Sequence, residues 1–319
     1  MTTPALEARD LHVAFHTGRR TSARAVDGVN LTVLPGQIVA LVGESGCGKS
    51  TLARALLGLQ PLAAGEVLVD GEPLARTRSG LKAYRRRAQL ILQDPMGSLN
   101  PRMTVYESVA EGLRVHGVAD EEARVAEALS RVGMRPPERF YTRYPHELSG
   151  GQRQRVVIAG ALVLEPEILV ADEPVSSLDA SVRGEILALL LRLRDELGLS
   201  ILVVTHDLGL AWNVADRIAV MYLGRIIEEG PTEELLGHPQ HPYTRALLSV
   251  VPEMDRIEPV VLVGEPPDPT RIPAGCRFHP RCPLLQQGLP DDVSSRCRGE
   301  SLAPLPTQDS HAAACYALG

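Results

Sequence analysis

Lysine is almost missing from this 319-residue chain: of its 33 basic residues only Lys49 and Lys82 are lysine, and the rest are arginine. The bias fits codon usage in a GC-rich genome. Where arginine would serve, this chain uses arginine, so a surviving lysine points to chemistry that arginine does not perform. Lys82, in GLKAYRRRAQ, reads as a surface residue; Lys49 sits in a special place. Long apolar runs are also missing. None approaches the roughly 18–20 residues that a membrane span needs, and the best candidate, ILALLLRLRDELG, meets arginines within two turns. The start, MTTPALEARD, has neither the basic nor the apolar region of a secretory signal. The expectation is a cytosolic chain whose membrane role, if it has one, comes through partners. Nor is there a surplus of positive charge: the formal net charge is −6, which argues against nucleic acid as the main ligand. The length allows two domains, or one large domain with an appendage.

What is present is an α/β pattern with an interruption. Residues 5–15, ALEARDLHVAF, alternate enough to predict an edge strand. GQIVALVGESGCGKSTLARALLGL reads as strand, glycine-rich turn and helix. GEVLVDGEPL carries an Asp70–Gly71 turn and predicts a hairpin. A stretch rich in helix formers, VYESVAEGLRVHG and EEARVAEALSRVGM, predicts an inserted helical subdomain at about 95–155. Then EILVADEP and SILVVTHD read as short buried strands. Between them SVRGEILALLLRLRDELG is an amphipathic helix with Val182, Ile186, Leu190, Leu193 and Leu197 at three- and four-residue steps. Strands alternating with helices imply an α/β fold with a mostly parallel sheet covered on both faces. After residue 251 the texture changes: eleven of the 25 prolines fall in 252–319 and helical periodicity disappears. The expected division is a domain over 1–251 and a loop-rich extension over 252–319.

Gly43 to Ser50, GESGCGKS, matches G-x-x-x-x-G-K-[ST] between a predicted strand and a predicted helix, the context that the motif requires. In such a loop Gly43, Glu44, Ser45, Gly46, Cys47, Gly48 and the helix start at Lys49, Ser50 and Thr51 offer backbone N–H groups to phosphate oxygens. Lys49 reaches the β- and γ-phosphates and Ser50 ligates Mg²⁺, which explains the lysine that survives here. Cys47 occupies an unconstrained position and reads as a passenger, one that can still make the site thiol-sensitive. ILVADEP ends a buried strand in Asp172 and Glu173, at the edge where open α/β sheets bind ligands. Asp172 suits Mg²⁺ held through water, and Glu173 suits a general base that polarises the attacking water.

LSGGQRQR, Leu148 to Arg155, narrows the field. With it the chain resembles the ATP-binding cassette (ABC) ATPases, whose signature is LSGGQ at a helix N-terminus. The resemblance implies a P-loop ABC ATPase core, ATP and Mg²⁺ as ligands, and Ser149, Gly150, Gly151 and Gln152 acting on nucleotide held by a second cassette. It implies further roles: Gln93 of LILQDP as the Q-loop residue near Mg²⁺ and water, Asp179 of SSLD as the D-loop residue at a dimer interface, His206 of VVTHD as the switch histidine on the γ-phosphate, and Phe15 as the aromatic that stacks on adenine. The insertion HTGRRTSARAV blurs that last match. Narrower still, QDPMGSLNPRMTV, YPHELSGGQRQR, MYLGRIIEEG and HPQHPYTRALLSVVP are similar to the ATP-binding subunits of bacterial oligopeptide/dipeptide importers. That likeness implies an ATPase driving import of peptides, or of a related solute such as nickel or glutathione. Its implied partners are two transmembrane permease subunits, a second and different ABC ATPase subunit and, indirectly, an extracytoplasmic solute-binding protein, on the cytoplasmic face of the inner membrane. The rival reading, a soluble ABC ATPase in nucleic-acid maintenance or translation, calls for long coiled coils, zinc modules inside the cassette or two cassettes in one chain. None of these is in the sequence.

Four of the five cysteines lie in the tail as Cys276-x5-Cys282-x14-Cys297-x17-Cys315. Disulfides are disfavoured in a cytosol, and thiols acting as small hydrophobes remain an alternative. Zinc sites show a tighter knuckle than this, whereas iron–sulfur clusters tolerate wider spacing, and Cys282–Pro283 echoes some ferredoxins. In the peptide-importer family the resembling tail binds a [4Fe–4S] cluster. The gap before Cys297 is longer than that family's usual one, which leaves His311 as an alternative ligand. A structural role is expected, since nothing near it in sequence resembles an electron partner.

Overall fold

The computed structural model describes residues 2–16, 22–251, 260–306 and 310–318. In chain order the strands are β1 (Leu6–His16), β2 (Ser22–Val33), β3 (Ile38–Val42), β4 (Ala64–Val69), β5 (Glu72–Pro73), β6 (Ala88–Ile91), β7 (Ile168–Asp172), β8 (Ser200–Thr205), β9 (Arg217–Tyr222), β10 (Arg225–Pro231) and β11 (Ala312–Ala313). The helices are α1 (Lys49–Leu56), α2 (Arg78–Arg87), α3 (Pro95–Ser98), α4 (Val105–His116), α5 (Glu121–Arg131), α6 (Gly150–Leu162), α7 (Ala180–Leu197), α8 (Leu208–Val214), α9 (Thr232–Gly237), α10 (Pro242–Leu248), α11 (Pro283–Gln287) and α12 (Asp291–Gly299). The chain divides into two compact units. One holds the described residues of Met1–Ala5, Leu34–Gln37 and Leu74–Val204; the other holds those of Leu6–Val33, Ile38–Pro73 and Thr205–Gly319.

In the second unit β3 pairs in parallel with β9, from Val39↔Arg217 to Val42↔Val220, and β9 continues through antiparallel β10 to β11. All five residues of β3 are buried, the continuous apolar run expected of a strand covered on both faces. An antiparallel sheet runs β2-β1-β4-β5. Here β1 is an inner strand, not the expected edge strand, with β2 on one side and β4 on the other. At Arg9 and Asp10 the strand carries a bulge: the register slips between Ala8 and Leu11, and Asp10 has φ 44°. Asp70 and Gly71, at φ 51° and 81°, form the predicted hairpin turn between β4 and β5.

The other unit contains the parallel trio β6-β7-β8 through Val204, with Ile168↔Ser200 and Ala88↔Ile168 in register. Every residue of β7 is buried. The stretch expected to form a helical insertion holds α3, α4 and α5 and the start of α6, which runs on to Leu162. Helix α4 starts at a capping box in which Thr104 and Glu107 satisfy each other's backbone N–H. Helix α7 buries Ile186, Leu189, Leu190 and Leu193, while Val182 and Leu197, expected on the same stripe, are only partly covered.

The tail is more structured than its composition suggests. It supplies α11, α12 and the short strand β11, whose Ala312 and Ala313 pair with Glu229 and Glu228 of β10. Its Phe278 packs edge-on with Tyr222 and Tyr243 at centroid distances of 5.2 and 5.4 Å. A segment too poor in apolar residues to build a core inserts its aromatic side chain into a core that already exists.

Candidate functional site

The phosphate-loop motif sits where the sequence put it, between β3 and α1. Gly43 and Gly48 are required by close backbone approach. A Cβ at Gly43 would lie 2.2 Å from the Met221 carbonyl oxygen, and one at Gly48 2.0 Å from that of Ala25; both residues also have positive φ. Gly46 faces open space. Lys49 is 5% exposed and donates from Nζ to the carbonyl oxygens of Gly43 (2.7 Å) and Glu44 (2.9 Å). Loop carbonyls thus hold the ammonium at the start of α1. Ser45 is exposed, whereas Ser50 and Thr51 are half-buried in the first turn. Cys47 is buried, and burial pushes its thiol up, so it is a poor nucleophile and fits the passenger reading.

Glu44 was expected to contribute only its backbone, and here the sequence reading missed something. Its N–H donates to the Tyr243 hydroxyl (2.9 Å), and its carboxylate accepts two hydrogen bonds from the Arg281 guanidinium, at 2.7 and 3.0 Å. Tyr243 lies in α10, whose N-cap is His241. That imidazole Nδ1 accepts the Tyr243 N–H (3.0 Å), and full burial holds its pKa down at about 3. The unusual HPYTRALL segment was the available signal. What it builds is a helix start beneath the phosphate loop.

In the other unit Asp172 ends β7, 4% exposed, and Glu173 follows with φ 48°. Left-handed backbone at a non-glycine residue is strained, and such strain gathers at functional sites. The Glu173 N–H donates to the Val204 carbonyl (2.8 Å), and its carboxylate Oε2 accepts a hydrogen bond from Gln93 Nε2 at 2.8 Å. The Q-loop glutamine and the candidate base, 80 residues apart, therefore meet. Asp172 is a hard oxygen donor, as are Ser50 and Gln93, and such donors suit Mg²⁺.

Ser149 caps α6. Its hydroxyl accepts from Gln152 N–H (3.2 Å) while Gln152 Oε1 accepts from Ser149 N–H (3.0 Å). Ser149 is exposed at the positive end of a 13-residue helix, a ready position for an anion. The two signature glycines differ. A Cβ at Gly150 would meet Leu178 at an ordinary 3.5 Å, but one at Gly151 would come within 2.7 Å of Val182 on α7. Gly151 is needed for helix packing, not only for approach to phosphate. Asp179 caps α7, and the Val182 N–H, with the Ser181 hydroxyl, holds its carboxyl below the usual range.

In the phosphate-loop unit, exposed His206 follows β8 and precedes α8. Phe15 is 39% exposed on β1 opposite Ala23, and part of the insertion that blurred its assignment, residues 17–21, lies outside the described residues.

The four tail cysteines converge. Cys276 N–H donates to the Cys297 carbonyl (2.8 Å), and burial, followed by the fields of Cys315, Cys297 and Cys282, pushes the Cys276 thiol up to about 12. Burial, then neighbouring thiols, also raises Cys297, while Cys315 is raised by burial and by Cys282. His311 is not part of this group. Its Nε2 meets Glu228 at 2.7 Å and its Nδ1 meets Gln240 at 3.3 Å, so both ring nitrogens are engaged. The alternative of His311 in place of Cys297 is thereby corrected. Among the described residues no group of three or more His, Cys, Asp or Glu is arranged to hold a metal ion, so the expected metal site is not borne out. A single zinc with Zn–S of about 2.3 Å would draw its four sulfurs to roughly 3.8 Å of one another.

Comparison with known proteins agrees with this geometry. The ABC transporter family matches residues 26–176, and the oligopeptide/dipeptide transporter C-terminal region matches residues 227–288. The chain is 44% identical over 311 residues to the putative oligopeptide transport ATP-binding protein YkfD of Bacillus subtilis (strain 168), covering 94% of this chain and 93% of that one. It is 46% identical over 266 residues to the dipeptide transport ATP-binding protein DppF of Haemophilus influenzae, covering 81% of each. Among solved structures, the cassette MJ0796, a dimer in a post-hydrolysis state bound to ADP and Pi, is similar at 30% identity and a TM-score of 0.63, covering 71% of this chain and 98% of that one. The fold and its motifs are those of an ABC ATPase. Within that class the chain belongs to the ATP-binding subunits of ABC transporters, on the oligopeptide/dipeptide branch. The rival reading in nucleic-acid maintenance or translation is not favoured. No helix among the described residues is long and apolar enough to cross a membrane.

Proposed function

We propose that this chain hydrolyses ATP to drive import of peptides through a membrane permease, with Glu173 as the general base. The observation that carries the reading is the 2.8 Å hydrogen bond from Gln93 to the Glu173 carboxylate at a strained residue. The amide orients the carboxylate that accepts the proton of an attacking water in this reading. Lys49 neutralises the β- and γ-phosphates. Ser50, Gln93 and Asp172 hold Mg²⁺, which when bound offsets charge on the transferring phosphoryl group. His206 hydrogen-bonds the γ-phosphate, and Phe15 stacks on adenine. Ser149, Gly150, Gly151 and Gln152 act on the nucleotide of a second ATPase subunit, a different chain, with Asp179 at that interface. Two permease subunits complete the assembly on the cytoplasmic face of the inner membrane, and a solute-binding protein delivers the peptide. In this reading residues 1–251 are the ATP-binding domain and 252–319 the extension.

The extension's Cys276, Cys282, Cys297 and Cys315 hold a [4Fe–4S] cluster in this proposal. The convergence of the four thiols supports it, and an iron–sulfur cluster spreads its thiolates more widely than one ion does. Loading requires the four thiols to lose their protons. The cluster supplies a structural cross-link. Iron and sulfide near four each per anaerobically purified chain are expected, and zinc or no metal would remove the cluster from the proposal.

The function itself is tested in membranes. A tagged chain should bring down two multispanning proteins and hydrolyse ATP with them. Glu173→Gln should cut phosphate release by about 10²-fold or more while ATP stays bound. Undiminished hydrolysis in that variant would assign the base to another group.

A further inference from the structure

The short segment from Cys276 to Cys282 carries two arginines; Arg281 reaches the phosphate loop and Arg277 reaches the strand and turn beside it. Arg281, with its side chain 6% exposed, makes the bidentate contact to Glu44. Arg277 pairs with Asp27 and donates to the Leu223 carbonyl, and the next residue, Gly224, donates its N–H to the Cys47 carbonyl at 2.8 Å. Between them Phe278 packs against Tyr243, whose hydroxyl takes the Glu44 N–H. The loop is thus held at Glu44 by a segment some 237 residues further along the chain, and at Cys47 by Gly224, next to the carbonyl that Arg277 holds.

Glu44 poses an electrostatic problem. A loop built to hold a polyanion carries a carboxylate at its second position, where an unpaired negative charge would repel the triphosphate. A buried, bidentate guanidinium cancels that charge and fixes the side chain in one orientation. We propose that Arg281 is a positioning residue for nucleotide: it neutralises and anchors Glu44, so that the C-terminal extension sets the affinity of the phosphate loop. The inference rests on the reading of residues 43–50 as the ATP-binding loop.

The test is equilibrium binding of a fluorescent ATP analogue, with Mg²⁺, to the full chain. Arg281→Gln leaves a bare carboxylate and should weaken binding about tenfold, a defect that shrinks as salt rises from about 0.05 to 0.5 M. Glu44→Gln alone, which removes the repulsive charge, should bind at least as tightly as wild type. The double variant Glu44→Gln/Arg281→Gln should return to within about threefold of wild type. A residue that only packs the tail would give a double variant no better than Arg281→Gln, and that result overturns the proposal. So does unchanged binding by Arg281→Gln, or weakened binding by Glu44→Gln, which remains informative if the arginine variant does not fold. Lys49→Ala separates the two levels. If it binds nucleotide normally, the loop reading fails and this proposal with it; if it loses binding while Arg281→Gln does not, the proposal alone fails.

Discussion

Two glycine-rich stretches open helices in this protein, and they are built in opposite ways. The phosphate loop before α1 is closed on itself: Lys49 is held by loop carbonyls, and Glu44 is held by Tyr243 and Arg281. The signature before α6 is open, with Ser149 exposed and its hydroxyl and N–H engaged by Gln152 within the same capping box. A loop that must wrap a triphosphate is pre-shaped by tertiary contacts, so that little ordering remains to be done on binding. A helix end that presents its dipole to an anion needs no wrapping, only a stable first turn.

The largest effect should come from opening the closed loop. Lys49→Ala removes a charge-assisted contact to the phosphates and should weaken ATP binding by about 3 kcal/mol, more than 100-fold. Isothermal titration reads it directly. A loss under tenfold would mean that the loop's backbone N–H groups, not the ammonium, dominate.

Next in size is a contrast between the two signature glycines. Gly151→Ala meets Val182 at 2.7 Å and should destabilise the protein by about 1–3 kcal/mol, with recovery when Val182→Ala is added. Gly150→Ala meets only Leu178 at contact distance and should leave denaturant midpoints near wild type while lowering turnover. Equal destabilisation by both would erase the distinction between a packing glycine and a ligand-facing one.

How much of this was legible beforehand differs by kind of residue. Lys49, Glu173 and Ser149 could be placed on a loop, a strand end and a helix cap, because each sits in a local motif whose chemistry fixes its spacing. Arg281 and Arg277 could not, since a long-range ion pair leaves no periodicity in the sequence. Residues 5–15 were read as an edge strand from their alternation, but alternation shows which face is polar, not how many neighbours a strand has. The tail's helices and β11 were missed because they are short; β11 is held by pairing with β10, and the tail is docked through Phe278 on Tyr222 and Tyr243, contacts that leave no periodicity.

The brace under the closed loop should also make it sensitive to acid. His241 is fully buried with its pKa held at about 3 by burial, against 6.5 for the exposed ring. The unfolded chain therefore takes up a proton that the folded chain refuses. Stability is complete above about pH 6.5 and falls as pH drops toward 3, by up to about 1.4 kcal/mol per unit. His241→Asn offers a side-chain oxygen as N-cap acceptor in place of the ring Nδ1 and removes the titration. Between pH 7.5 and 5.5 wild type should lose about 1 kcal/mol more than this variant in urea unfolding; parallel curves would place the acid sensitivity elsewhere. Buried Glu229, held up at about 7 by burial, works in the opposite direction. Its raised value favours the fold at low pH, and that contribution is lost as pH climbs through 7, so the comparison with His241→Asn, where Glu229 is common to both chains, isolates the histidine.

The smallest effect is the most discriminating for the open site. Ser149→Ala removes the side-chain cap of α6 and should cost about 1 kcal/mol of stability, whereas Ser149→Gly, with a residue tolerated at an N-cap, should cost only a few tenths. Both remove the hydroxyl. If that hydroxyl donates to a γ-phosphate, the two variants should lose turnover equally despite their unequal stability. If turnover instead follows stability, falling for alanine and holding for glycine, then Ser149 serves the helix, and the anion is held by backbone N–H groups and the dipole of α6 alone. Gly46→Ala, at the open position of the phosphate loop, offers no such separation, because there the backbone shape is itself the binding surface.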